Sequence, residues 1–249
     1  MTKIGYAAFK DCTSLKSIDI PDSVTKIGID AFHGTKWLEN QHDGVIYINR
    51  LLYYLKGNVE LDTLSISEGT IGICNEAFSG CTSLKSINIP DSVTVIGYDA
   101  FRGCTSLKSI DIPNSMTEIE SMTFRGCTSL ISINIPNSVN VIGYAAFSGC
   151  SSLESIDIPY SVYSIEANVL EGCTSLKFIH SAAVKIDHIY ITIDEKAFDG
   201  FNIDECTLYI PSGTRWVYRH HPGFGKFKNI EIEMKSRTPK IRNYHPIHD

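Results

Sequence analysis

"GCTSLKSIDIPNSMTEIE", Gly103–Glu120, is a stretch that recurs in close copies along the chain. Within it the alternation Ile110-Asp111-Ile112 reads as a short strand with two side chains inward and one outward. Pro113 lacks a backbone donor and ends the strand, and "NS" supplies turn-forming residues. A second short extended segment follows and closes on Ile119. Leu107, Ile110, Ile112 and Ile119 thus build one coil, and Cys104 occupies a place that other copies share.

The copies keep a fixed register. Phe9, Phe32, Phe78, Phe101, Phe124 and Phe147, with Leu170 in the next copy, stand 23 residues apart, except for a gap of 46 between Phe32 and Phe78 that holds two units. Leu61, Leu64, Ile66 and Ile73 lie 23 residues before Leu84, Ile87, Ile89 and Ile96, so the period survives the gap. Periods of 20 to 29 residues with Leu or Ile at set offsets mark a leucine-rich-repeat solenoid. The expected fold is a right-handed α/β-class horseshoe, mostly β and turn with little helix. About eight coils stack along roughly 40 Å, and each buries its apolar side chains against its neighbours.

The unit Cys81, Leu84, Ile87, Ile89, Pro90, Val93, Ile96, Gly97, Ala100, Phe101 and Cys104 resembles the BspA-type leucine-rich repeats of bacterial surface proteins, a class also found in some parasitic protists. The resemblance covers residues 1–180. The stretch "AFDGFNIDECTLYIPSGTRWVYRHHPGFGKFKNIEIE" is similar to the C-terminal cap of gut-bacterial members, a strand, a short helix and another strand. Three parts are therefore expected: a solenoid over 1–180, a cap over 181–234 and a polar tail over 235–249. One unit departs from the pattern. Thr35–Gly57 loses the cysteine and the Ile-x-Ile-Pro core, and Val45–Ile48 and Leu51–Leu55, turned by Asn49 and Arg50, read as a hairpin bulging out of the solenoid. Its Trp37, Tyr47, Tyr53 and Tyr54 form either a small core of their own or a recognition surface.

Composition narrows the function classes. Of 249 residues 43% are hydrophobic and 20% charged, which fits a folded chain, and a formal charge of -6 gives no basic field for nucleic acid. No run of about 18 apolar residues encodes a membrane span. The opening "MTKIGYAAFKDC" is already in mid-repeat and lacks the apolar centre of a secretory signal, which leaves further repeats, a removed signal or neither as readings.

Six of eight cysteines, Cys12, Cys81, Cys104, Cys127, Cys150 and Cys173, share one repeat position. Strands about 4.8 Å apart with parallel Cβ vectors do not suit a disulfide, so the column reads as reduced, buried thiols. Cys-x-x-Cys and Cys-x-x-His pairs are lacking, and no cofactor or metal is expected. Cys74 and Cys206 stand off the column. His220, His221, His245 and His248 read as exposed cap and tail residues.

The outward strand position runs Asp19, Ser65, Asn88, Asp111, Asn134, Asp157 and His180. Interleaved Asn spaces the charges to about 10 Å and lets side chains hydrogen-bond along the ladder. A sharper reading makes Asp111 and Asp157 an inverting glycosidase pair, but nothing gives the two carboxylates different environments. Ser17, Ser86, Ser109, Ser132 and Ser155 flank this face, with Lys16, Lys85, Lys108 and Lys177 one residue earlier; no nucleophile motif organises them. Tyr6, Tyr98 and Tyr144 share a position before the Ala-Phe pair, while Tyr160, Tyr163 and Phe178 cluster where repeats give way to cap. The candidate binding residues are Lys85, Asn88, Lys108, Asp111, Asn134, Asp157, Tyr160, Phe178 and His180. The resemblance implies a non-enzymatic, adhesin-like module at the cell surface or secreted, whose partner is a host or microbial protein. The runner-up is a structural spacer that self-associates end to end through its first coil.

Overall fold

Each regular unit folds into one coil with two short strands. In the unit beginning at Cys81 these are Ser86–Asn88 and Val95–Ile96, separated by Pro90 and its turn. The computed structural model describes residues 2–57, 59–182 and 192–233. Over these the chain is a β-solenoid of about ten turns with very little helix. The expected polar tail, with His245 and His248, lies outside the described residues.

Two parallel ladders run along the solenoid. Ser109–Asp111 pairs with Ser132–Asn134, and Glu118–Ile119 pairs with Val141–Ile142, each residue meeting its counterpart 23 positions on. Register follows from burial, because a one-residue slip would turn Ile133 or Ile142 out to water. The sequence suggests about eight coils, and the difference comes from the cap. Thr192–Ile193 extends one ladder beyond Ser164–Ile165, while Thr207–Ile210 and Asn229–Ile232 extend the other beyond Phe178–Ser181. Between those last two strands lies the helix Arg215–His220, whose buried Tyr218 donates its hydroxyl to the Ser181 carbonyl at 2.6 Å.

The core is a set of columns. In the opening stretch Cys104, Leu107, Ile110, Ile112, Met116 and Ile119 are all buried. Phe78, Phe101, Phe124 and Phe147 stack with ring centroids 5.3, 5.6 and 5.7 Å apart and planes within 6° of parallel. The 23-residue spacing places identical rings one coil apart, and each ring covers the next. Beside them runs a set of turn hydrogen bonds: Met122, Phe124 and Gly126 donate their N–H groups to the carbonyls of Tyr144, Ala146 and Ser148 at 2.7 to 2.9 Å.

Two backbone features hold this turn. Gly126 sits at φ +73°, and a side chain there would face Gly103 of the coil before. Gly97 has ordinary dihedrals but lies so close to Asn75 that a Cβ would come within 2.7 Å of the Asn75 nitrogen. Less legible in the sequence is a row of left-handed residues that are not glycine: Asp30, Glu76, Asp99, Met122, Ala145 and Asn168 all have φ between 51° and 59°. Such a conformation costs about 1 to 2 kcal/mol each, and it recurs because the turn bonds to the next coil fix it.

The irregular unit is a hairpin, as its sequence suggests: Gly44–Ile48 runs antiparallel to Leu51–Lys56. It does not simply bulge outward. Its second strand enters the ladder, with Leu52 rather than Arg50 opposite Ile73, a slip of two residues against the 23-residue register. A slip of two returns side chains to the same face, so Leu52 remains buried. The aromatic residues divide accordingly. Trp37 and Tyr53 pack on Phe32 with centroids 5.0 and 5.6 Å away, Tyr47 accepts the Ser67 N–H, and Tyr54 is turned out. The core itself parts here, since Leu51 belongs to an N-terminal cluster with Phe32 and Tyr53, and Leu52 to the main one.

The stacked column makes a graded prediction. Phe124→Ala removes a ring covered on both sides and is expected to cost about 3 to 5 kcal/mol in denaturant unfolding. Phe9→Ala, at a ring stacked only on Phe32 and half-buried, is expected to cost clearly less. Equal losses would contradict the column as the source of stability.

Candidate functional site

The ladder that contains Ser109–Asp111 and Ser132–Asn134 presents one continuous face. Ser65, Asn88, Asp111, Asn134 and Asp157 are exposed in a single row, each opposite its register partner where strands pair. The row continues through His180 opposite Asp157, then Tyr209, then Glu231. Among the described residues no hydrogen bond joins the side chains of Asn88, Asp111, Asn134 and Asp157 to one another, so the amide interleaving spaces charge without forming a side-chain ladder.

Lys85 and Lys108 lie at the entry to their strands and are exposed. Lys85 reaches Asp62 at 2.8 Å, a pair open to water on both sides, and such pairs stabilise little. Tyr160 stands beyond the strand end, in the turn place that Asp91, Asn114 and Asn137 take in other coils, and is 54% exposed. Phe178 continues the serine column opposite Ser155 and is 41% exposed. His180 is half-buried because its ring stacks on Tyr209 at 4.7 Å, with Nδ1 3.5 Å from Glu233. The nine candidate residues therefore share one side of the solenoid, polar over most of its length and aromatic at the C-terminal end.

Tyr209 and Glu231 extend that end and are not among the residues the sequence reading selects. Leu208-Tyr209-Ile210 and Ile230-Glu231-Ile232 carry the same inward-outward-inward alternation as the repeats, which is the signal that marks them.

The thiol column takes shape on the other flank. Cys104, Cys127 and Cys150 each lie 3.2 Å from the carbonyl oxygen of Phe78, Phe101 and Phe124 in the coil before, and Cys173 lies 3.3 Å from that of Phe147. The thiol donates, and all eight cysteines are free. Cys12 corrects the reading of six buried thiols: it is exposed because no preceding coil covers it among the described residues. Burial pushes the Cys74, Cys127, Cys173 and Cys206 thiols up to about 12, which favours the protonated thiol over the thiolate. Among the described residues no three His, Cys, Asp or Glu side chains converge to hold a metal. His220 stacks on Trp216 at 4.3 Å, and His221 accepts the Gly223 N–H through Nδ1.

A family model described as the BspA type leucine rich repeat region matches six copies over residues 1–43 and 47–177. The chain belongs to the BspA-type leucine-rich repeat family. The small break in this match falls at the start of the hairpin. Among solved structures the BspA-type chain is similar to a leucine-rich repeat protein from Bacteroides ovatus, at 26% identity and TM-score 0.52 over 94% of this chain and 52% of that one. It shares its fold with the pneumococcal vaccine antigen PcpA, at 19% identity and TM-score 0.68 over 94% and 56%. A leucine-rich repeat protein of T. pallidum matches at 32% identity over 52% of this chain and 62% of that one, with TM-score 0.49. This BspA-type chain thus spans about half to three-fifths of the length of those solved chains. No curated protein matches it significantly.

The buried thiols predict an alkaline signature. Their pKa is raised on folding from 9.0 to about 12, so their contribution is complete below about pH 9 and is lost as pH rises toward 12. Cys127→Ala is expected to flatten the fall of unfolding free energy between pH 9.5 and 11.5 by about 1.4 kcal/mol per pH unit. An unchanged slope would show that the thiol is not protected. A thiol reagent at pH 8 is expected to modify Cys12 quickly and the other seven only on unfolding.

Proposed function

We propose that this chain is a non-enzymatic protein-binding module that uses the strand face from Lys85 to His180, with its main anchors at Tyr160 and Phe178. The observation that carries this reading is the row itself. Its side chains are held at fixed spacing by paired strands, and their chemistry changes from Lys, Asn and Asp to exposed aromatic rings. Rigid spacing lets weak contacts add without further ordering cost, and aromatic groups supply most binding energy at protein interfaces. Asp111 and Asp157 both lie open on this face, without the enclosed and contrasting surroundings that would separate an acid from a base. The bacterial surface-protein class that the repeats resemble supports a location at the cell surface or outside the cell. The same resemblance supports an adhesin-like role toward host or microbial proteins.

Screening the chain against an array of extracellular proteins tests the proposal. For a partner so found, Phe178→Ala or Tyr160→Ala is expected to weaken binding about tenfold or more. Lys85→Glu with Lys108→Glu is expected to act on association rate and salt dependence. A partner bound equally well by all these variants would remove the strand face as the site.

A further inference from the structure

The hairpin breaks the turn-side hydrogen bonds, and the break leaves a cleft. Between the first two coils Ala7, Phe9 and Asp11 donate to Ile29, Ala31 and His33; between the coils of Phe78 and Phe101, Glu76, Phe78 and Gly80 donate to Tyr98, Ala100 and Arg102. Among the described residues no main-chain bond of this kind runs from the second coil to the hairpin; the Phe32 N–H donates instead to the Tyr53 hydroxyl oxygen at 3.2 Å. From hairpin to fourth coil one is present among the described residues, from the Leu55 N–H to the Ala77 carbonyl. The missing tier opens a cleft of about 130 Å³ whose walls include Asp30, His33, Tyr53, Tyr54, Asn75 and Glu76.

The cleft is negative and only partly compensated. Asp30 receives Lys10 at 2.6 Å through Oδ2, whereas among the described residues no ion pair or hydrogen bond reaches the Glu76 carboxylate. Asp99 of the next coil does not line the cleft; it is buried beside Tyr98, with Arg102 3.6 Å from Oδ2. Burial first, then Asp99 and Asp30, raise the Glu76 carboxyl above its usual range against the opposing pull of Arg102. Such an arrangement gains from a cation supplied from outside. Tyr54, 42% exposed, also lines the cleft and brings an aromatic ring to it.

We propose that this cleft takes one basic side chain, a lysine ammonium or an arginine guanidinium, of a partner protein, between the Asp30 and Glu76 carboxylates. The site lies on the turn side of the coil, away from the strand face. That the cation belongs to a protein rests on the function proposed above; recognition of the cation does not. The third coil thereby gives a periodic scaffold one singular address, set by loss of repeat residues.

Nuclear magnetic resonance titration of the full chain with N-acetyl-arginine and N-acetyl-lysine methylamides, and with the neutral citrulline analogue, tests this. The basic probes are expected to shift signals of Asp30, His33, Tyr54 and Glu76 saturably, with citrulline at least tenfold weaker. Glu76→Gln is expected to weaken binding about tenfold and Tyr54→Ala about threefold. Binding of citrulline as strong as arginine, shifts that never saturate, or affinity unchanged in both variants would overturn the proposal. Phe178→Ala is expected to leave this titration unaltered, so failure of the strand face and failure of the cleft are read separately.

Discussion

Everything in this solenoid depends on one coincidence of length: a coil closes in 23 residues, so that like side chains lie directly over like. The consequence is concentrated at the Phe–Cys corner. There a ring stacks on a ring, a thiol meets the carbonyl of the phenylalanine before it, and three main-chain N–H groups reach the following coil. No coil satisfies these groups alone, which is why stability is shared between neighbours. The left-handed residues at Asp99, Met122 and Ala145 are strained one at a time and held together.

That dependence explains how much was readable. Ile87, Ile110 and Ile133 alternate with polar residues, and their period fixes both ladders and the outward row of Asn88, Asp111 and Asn134. The cap ladder was equally written in Leu208-Tyr209-Ile210, yet the 28-residue spacing to Phe198 hid its continuity. The thiol column was legible as a column, but the exposure of Cys12 depends on what covers a coil rather than on its letters. The left-handed row was not legible, because its occupants are as unlike as Asp, Met, Ala and Asn; the bonds that impose it come from the next coil.

The candidate site divides in the same manner. Its polar members followed from periodicity, since an outward strand position is an exposed one. Its aromatic end is legible too, since Tyr160 replaces a turn Asp or Asn and Phe178 replaces a serine; what required the fold is the continuation of the row through Tyr209 and Glu231. The cleft beside Tyr54 could be located only once the two-residue slip of Leu52 was known, because the slip is what removes a tier of turn bonds.

The parting of the core between Leu51 and Leu52 bears on how the molecule carries load. A chain pulled lengthwise transmits force through its weakest seam, and here two hydrophobic clusters meet at a hairpin whose turn side retains one bond to each neighbour. Tension therefore opens this seam before it uncoils the stacked rings beyond Phe78. The coils beyond Phe78, which carry the proposed strand face, lie on the far side of that seam.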